Sequence, residues 1–460
     1  MPLPTIPSGN VNSGLATGYD VANSVRFNDG DSAYMHITRG SAGNQRTFTI
    51  SMWIKRCELG SSNYFFTVGP DGDTNFVMYF DSNDQLEVWE YKSSYQFRLK
   101  PKYKFRDIVG WYHLCVAVDT TQSTSTNRVK IYVNGTQLTD FDTSSYPSQD
   151  YDTLMNDDRK YWLGKYTSLS FYYDGYLAEV LVLDGTAATP TSFGEYDEDT
   201  PTIWKPINVS GLTFGTNGFY LDFEDSSNLG NDANGGTDWT EVNLDATDQS
   251  TDTCTNNFAT LNPLAPYSNT TYSEGNCIAS GSANAWQLAT GTIGVSQGKW
   301  YWEVLLSGGT AGNYHTGVRD ESANDYTGNH NQNGTTTFYN GDGGEVFKGG
   351  VDVFTTANYG TMNASSDILG VALNMDDKQI TLYKNGSAIA SNVALSTSIS
   401  EAMPTFLTDA NDVVFKVNFG GCPSFAISSG NADGNGYGNF EYSVPSNYYS
   451  LCTKNLAEFG

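Results

Sequence analysis

The chain has 460 residues, with 51 Asp and Glu against 24 Lys and Arg, for a net charge of −27. That balance argues against nucleic acid as a partner, since clustered bases must neutralise its phosphates, and it disfavours anionic membrane surfaces for the same reason. Aromatic residues make up 14% and charged residues only 16%, with 47 Gly, a composition of many short strands joined by turns and not of long amphipathic helices.

No apolar run approaches the roughly 18 residues of a membrane span, so no membrane insertion is expected. The opening MPLPTIPSGN has neither a basic nor an apolar region, and no signal peptide is expected. Cys57, Cys115, Cys254, Cys277, Cys422 and Cys452 show no C-x-x-C spacing, and several fall within strand patterns. Free thiols made in a reducing cytoplasm are the expectation.

Residues 1–22, rich in Pro, Gly, Ser and Asn, read as an extended arm. Strands are predicted at Ser24–Phe27, near Tyr34, and over 47–54, where Phe48, Ile50, Met52 and Ile54 share a face. Trp53 breaks that alternation and must cover something on the outer side. Residues 75–91 read as a hairpin turning on Asp, Ser and Asn. The stretch 111–138, WYHLCVAVDTTQSTSTNRVKIYVNGTQL, alternates through Tyr112, Leu114, Val116 and Val118, then through Val129, Ile131 and Val133. Asn134-Gly135 ends it with the dipeptide that tolerates positive φ in a tight turn. The pattern returns at 369–389, LGVALNMDDKQITLYKNGSAI, where Tyr383-Lys-Asn-Gly answers Tyr132-Val-Asn-Gly. Two sandwich domains of related architecture follow from the repetition.

FTISMWIKR, WYHLCVAVDTTQ, RVKIYVNGTQL and GYLAEVLVLDG, in that order, resemble a laminin-G-like, concanavalin A-like domain over about residues 24–190. KWYWEV, HTGVRD, the 369–389 hairpin and MPTFLTDANDVVFKVNFGG resemble a SPRY domain. YLDFEDSSNLGNDANGG, TCTNNFATLNPL and the closing NYYSLCTKNLAEFG are similar to segments of phage and prophage proteins that combine the two domains. The fold class expected is all-β: an arm at 1–22, a laminin-G-like sandwich at 23–200, a connector with short strands at 201–272 and a SPRY-like jelly-roll sandwich at 273–460. The resemblance implies a non-enzymatic virion protein of fibre or adhesin type, contacting host-surface glycans and other virion proteins as a homo-oligomer, a trimer first. A purely structural capsid decoration or connector is the alternative, and a polysaccharide depolymerase the next.

Several motifs bear on chemistry. G-V-S-Q-G at 294–298 matches a nucleophile elbow, but that motif needs a strand before it and a helix after, whereas a strand follows here, so it reads as a turn. E-Y-D-E-D at 195–199 would place Glu195, Asp197 and Asp199 on one strand face, as a hydrolase would need, yet Pro and Gly bracket it and it reads as an acidic exit from the first domain. The run 431–436, NADGNG, imitates a calcium loop, but Tyr442 stands where the bidentate Glu belongs. No cofactor is expected, with calcium kept as a candidate at the Asp71-Gly-Asp73 turn. The four histidines, His36, His113, His315 and His330, show no zinc or triad spacing, and His113 reads as structural. Sugars pack their C–H faces on aromatic rings, which makes Trp89, Tyr91, Tyr95, Tyr172 and Tyr173 the carbohydrate-binding candidates. Packing of the sandwich's outer face or an oligomer contact is the competing account of the same rings.

Overall fold

A computed structural model describes residues 18–167, 169–265, 269–283, 286–308, 314–322, 335–341, 343–348, 359–363, 365–408 and 410–460. Most of the expected arm, and His330, lie outside these residues. The chain divides into one unit of Ala16–Thr255 and a second containing Asn256–Gly460.

The first unit holds two antiparallel sheets. One runs Thr136–Gln137, Val129–Val133, Tyr112–Asp119, Thr47–Arg56, Gly175–Asp184, Ser24–Phe27 and Gln249–Ser250, with Phe219–Leu221 added beside the later half of Gly175–Asp184. The other runs Phe141–Ser145, Tyr95–Pro101, Leu86–Lys92, Thr74–Phe80, Asn63–Asp71, Lys160–Leu163, Tyr34–Thr38 and Thr240–Val242. Their inner faces interlock through one core. The rings of Phe48 and Phe76, one from each sheet, meet edge-on at 6.3 Å. The predicted inward rows, Phe48 to Ile54 and Tyr112 to Val118, are buried there as period-2 alternation requires. Trp53 covers the other side, with Val21, Ala178 and Trp204.

The expected connector 201–272 does not behave as one piece. Phe219–Leu221, Thr240–Val242 and Gln249–Ser250 complete the sheets of the first unit, and the division into units falls after Thr255. Each of these strands has only two or three residues, too few to show a period.

The second unit pairs an eight-stranded sheet with a five-stranded one. Trp300, Trp302, Val304 and Leu306 of Lys299–Ser307 point into its core, as do Val413, Phe415, Val417 and Phe419. Among the described residues the one α-helix is Thr453–Phe459, and no helix there is long and apolar enough to cross a membrane.

The repeated hairpin keeps one device in both units. Asn134 (φ 47°) and Gly135 (φ 78°) form one turn, Asn385 (φ 49°) and Gly386 (φ 76°) the other, both with positive φ at the two central positions. Asn134 Oδ1 accepts the His113 N–H at 2.8 Å, and Asn385 Oδ1 accepts that of Ile368 at 2.9 Å. A Cβ on Gly135 would lie 2.5 Å from the Trp204 ring, and one on Gly386 would lie 2.7 Å from the Tyr442 ring. Behind the first turn, His113 is buried between Ser51 (Nε2 to Oγ, 2.8 Å) and Trp204, whose Nε1–H donates to Nδ1 at 3.0 Å. Burial lowers its pKa to about 3, so it stays neutral and structural.

Candidate functional site

The second sheet of the first unit has an unusual outer face. Alternation sends Phe76, Met78, Phe80, Leu86, Val88, Phe97 and Leu99 into the core, and the residues between them therefore face out. In an ordinary sandwich those positions are polar. Here many are rings.

One cluster centres on Trp89 and Tyr166. Tyr64 stacks on Tyr79 with centroids 4.5 Å apart and planes within 5°. It also meets Tyr166 at 4.6 Å and Phe171 at 5.7 Å. Tyr95 stands edge-on to Trp89 at 5.7 Å and to Tyr91 at 5.2 Å, and the Arg98 guanidinium lies 4.9 Å from its ring. Arg98 is held in place by a two-point bond to Glu87, at 2.9 and 3.0 Å. Tyr95 and Phe171 are each 49% exposed, so the cluster presents rings to solvent above a packed base.

The other cluster lies on the next two strands, Lys160–Leu163 and Tyr34–Thr38. Trp162 is 5.6 Å from both Tyr34 and His36, and Tyr34 is 6.2 Å from Tyr172. Lys160 Nζ sits 3.9 Å from the Trp162 ring, and Lys165 Nζ sits 4.3 Å from Tyr34 and 5.3 Å from Tyr172. Burial, with Lys160 and Lys165 alongside, holds His36 below its ordinary pKa. Thr67 Oγ1 donates to the Lys165 carbonyl at 2.9 Å and so fixes the 165 loop to the strand Asn63–Asp71.

Of the rings singled out in the sequence, Trp89, Tyr91, Tyr95 and Tyr172 are all on this face or at its rim. Trp89 is 92% covered, part of the base and not of the rim, since its relative exposure is only 8%. Tyr173 must be corrected. It is fully buried in the core, its hydroxyl donating to the Lys55 carbonyl at 2.8 Å. Adjacent residues of an extended segment point to opposite sides, so Tyr172 and Tyr173 could not both be outside. Tyr34, His36, Tyr64, Tyr79, Trp162 and Tyr166 escaped notice because they come from separate segments, although each is out of phase with a buried neighbour.

At the Asp71-Asp73 turn, Asp71 Oδ1 accepts the N–H groups of Asp73 and Thr74, both at 2.9 Å, and so closes an Asx turn. Among the described residues no group of three or more His, Cys, Asp or Glu is placed to hold a metal. In 431–436, Asp433 is saturated by internal donors: Asn435 N, Tyr437 N, Ser450 N and Asn455 Nδ2. Glu195 and Asp197 lie 3.6 and 3.5 Å from one Lys205 ammonium, and Asp197 also caps a turn at Asp199 and Thr200. Ser296 is exposed in the turn before Lys299–Ser307. None of the six cysteines is joined in a disulfide.

Residues 29–191 match the model of the concanavalin A-like lectin/glucanases superfamily, and residues 299–421 match that of the SPRY domain. No curated protein matches the chain. Among solved structures, the SPRY domain of human HERC1 is 16% identical, covering 35% of this chain and 97% of its own, with a TM-score of 0.29. A heptameric SAP-like pentraxin from Limulus polyphemus is 16% identical, covering 37% and 80%, with a TM-score of 0.28. A candidate carbohydrate-binding protein from Bacteroides ovatus is 16% identical, covering 48% and 58%, with a TM-score of 0.33. The chain thus carries a concanavalin A-like domain at residues 29–191 followed by a SPRY domain at 299–421.

Proposed function

We propose that the chain is a non-enzymatic glycan-binding protein whose concanavalin A-like domain takes sugar on the outer aromatic face of its second sheet. The observation that carries this reading is the continuity of rings from Tyr95 through Trp89, Tyr166 and Tyr64, with Trp162, Tyr34 and Tyr172 on and beside the next two strands. Ring faces at a rigid sheet offer apolar area with little side-chain entropy to lose, and neighbouring hydroxyls and cations supply polar contacts. A carbohydrate-binding role also agrees with the lectin/glucanase superfamily that matches here.

The same reading takes binding without cleavage. Glu195 and Asp197 share a lysine, and Asp197 also caps a turn, which gives both carboxylates a structural account. On the resemblance of its linking and closing segments to phage modules, we place the protein on a virion, as a homo-oligomer that contacts host-surface glycans. Weak single-site affinity then suffices, because many copies on one particle multiply avidity.

The test is retention of the full chain on immobilised host-derived polysaccharide, with reducing ends assayed in parallel. Retention without new reducing ends is expected. Reducing ends released by wild type and lost on Glu195→Gln would establish a depolymerase. Neither retention nor release on any host glycan would favour a purely structural decoration or connector.

A further inference from the structure

The bases on the outer face of this sheet are treated in two different ways. Arg98 is bonded at two points to Glu87, and Lys100 pairs with Asp81 and Glu87. Lys160 and Lys165 have no carboxylate partner among the described residues. In a chain with 51 acids and 24 bases, a bare pair of lysines is unexpected. Both ammonium groups hang over rings: Lys160 over Trp162 at 3.9 Å, Lys165 over Tyr34 at 4.3 Å and Trp162 at 5.2 Å.

The two cations also act on one another. Burial and then the charge of Lys165 hold Lys160 below its ordinary value, and no acid opposes them. His36, on the neighbouring strand Tyr34–Thr38, feels burial and both lysines in the same sense. Stacking on rings offsets part of the cost of keeping two like charges together. A bridging anion would offset the rest, through charge-assisted bonds to two ammoniums that accept any oxyanion geometry.

We infer that Lys160 and Lys165, over the floor of Tyr34, Trp162 and Tyr172, form a subsite for an anionic sugar residue. The sugar ring lies by its C–H face against Tyr34 and Tyr172, which stay partly exposed beside the buried Trp162, and its carboxylate or sulfate meets the two lysines. The inference rests on the glycan-binding reading above and narrows it to acidic polysaccharides.

The experiment sets the full chain against an array of neutral, uronate-bearing and sulfated polysaccharides, including polygalacturonate with its methyl ester and dextran sulfate with dextran. The charged member of a pair should bind at least about tenfold tighter at low salt, with the gap closing as salt rises. Lys160→Gln with Lys165→Gln should abolish that preference while leaving the thermal midpoint unchanged, and Lys160→Arg with Lys165→Arg should keep it. Preference for polygalacturonate identifies a uronate, preference for dextran sulfate a sulfate, and either supports the subsite. Equal binding of charged and neutral members, or a preference that survives the double Gln variant, overturns the subsite and leaves glycan binding standing. If no polysaccharide is retained, the glycan-binding reading fails and the subsite with it. Capture by phosphatidylserine vesicles without retention of any polysaccharide overturns both in favour of a membrane contact.

Discussion

The Lys160 ammonium lies 3.9 Å from the ring of Trp162, two residues further along the same strand, Lys160–Leu163. The period of an extended chain brings the two side chains to one face while Tyr161 between them is buried in the core. The same arithmetic places Glu87, Trp89 and Tyr91 together, with Val88 inward. The candidate site is therefore a property of strand register, carried on the rigid part of the domain.

Tyr95, Tyr172 and Tyr173 should separate binding from stability. Tyr95 is 49% exposed, so Tyr95→Ala should move stability by no more than about 0.5 kcal/mol and weaken glycan retention, as should Tyr172→Ala. Tyr173→Ala removes a fully buried ring and its bond to the Lys55 carbonyl, at a cost of about 3–5 kcal/mol. Thermal melts alongside retention assays check this. A stable Tyr173→Ala protein with lost retention would reverse the assignment.

The two hairpin glycines should be equally intolerant of a side chain. Gly135→Ala and Gly386→Ala each place a Cβ at positive φ and within 2.7 Å or less of a ring. The backbone alone costs about 1–2 kcal/mol, and displacing Trp204 or Tyr442 adds to it. Each variant should melt earlier than wild type by calorimetry. Wild-type stability in either would mean that the turn does not need its glycine.

Glu179 makes stability depend on pH. It sits at a bulge with φ 50°, its carboxylate accepting from Tyr220 at 2.8 Å and Tyr19 at 3.4 Å. Burial, against the Tyr220 hydrogen bond, raises its pKa from 4.5 to about 7. The folded state thus holds a proton that the unfolded state releases, so this contribution is full below about pH 4.5 and is lost as pH rises to about 7. The loss is on the order of 3 kcal/mol. His113, held near 3 by burial, works in the opposite direction below its ordinary value, so the comparison must be with a variant. Denaturant melts of Glu179→Gln and wild type at pH 5 and pH 8 should show the variant gaining relative stability at the higher pH. A difference that does not change with pH would contradict the assignment.

Chelation should change nothing. Asp71 already serves two N–H groups of its own turn, and Asn can do the same through its amide oxygen. EDTA, and separately Asp71→Asn, should leave both thermal midpoint and glycan retention unaltered. A drop in either that added calcium restores would reinstate a metal at this turn.

The sandwich cores were legible because their strands run long enough for alternation to show. Val129, Ile131 and Val133 needed no partner to be read as one buried row. Asn134-Gly135 and Asn385-Gly386 announced their turns because few other pairs accept positive φ twice. The site was legible only in part. Trp89 and Tyr95 were found as neighbours in sequence, but Tyr34, His36 and Trp162 join the face through long-range pairing of Tyr34–Thr38 with Lys160–Leu163, which no local pattern reveals. Tyr173 was misplaced because the doublet was read as one feature when its two rings face opposite ways. Thr240–Val242 falls within the expected connector because three residues carry no period, and its partner strand lies some 200 positions earlier.

The central claim is that the outer aromatic face binds sugar. The most direct measurement is saturation-transfer NMR of the full chain with fragments of a retained polysaccharide, comparing wild type with Trp162→Ala and with Tyr95→Ala, each first confirmed as folded by its near-ultraviolet spectrum. Saturation should reach the C–H protons of the sugar in wild type and fall sharply in at least one of the two variants. Undiminished transfer in both folded variants would place the sugar elsewhere on the chain and contradict the account.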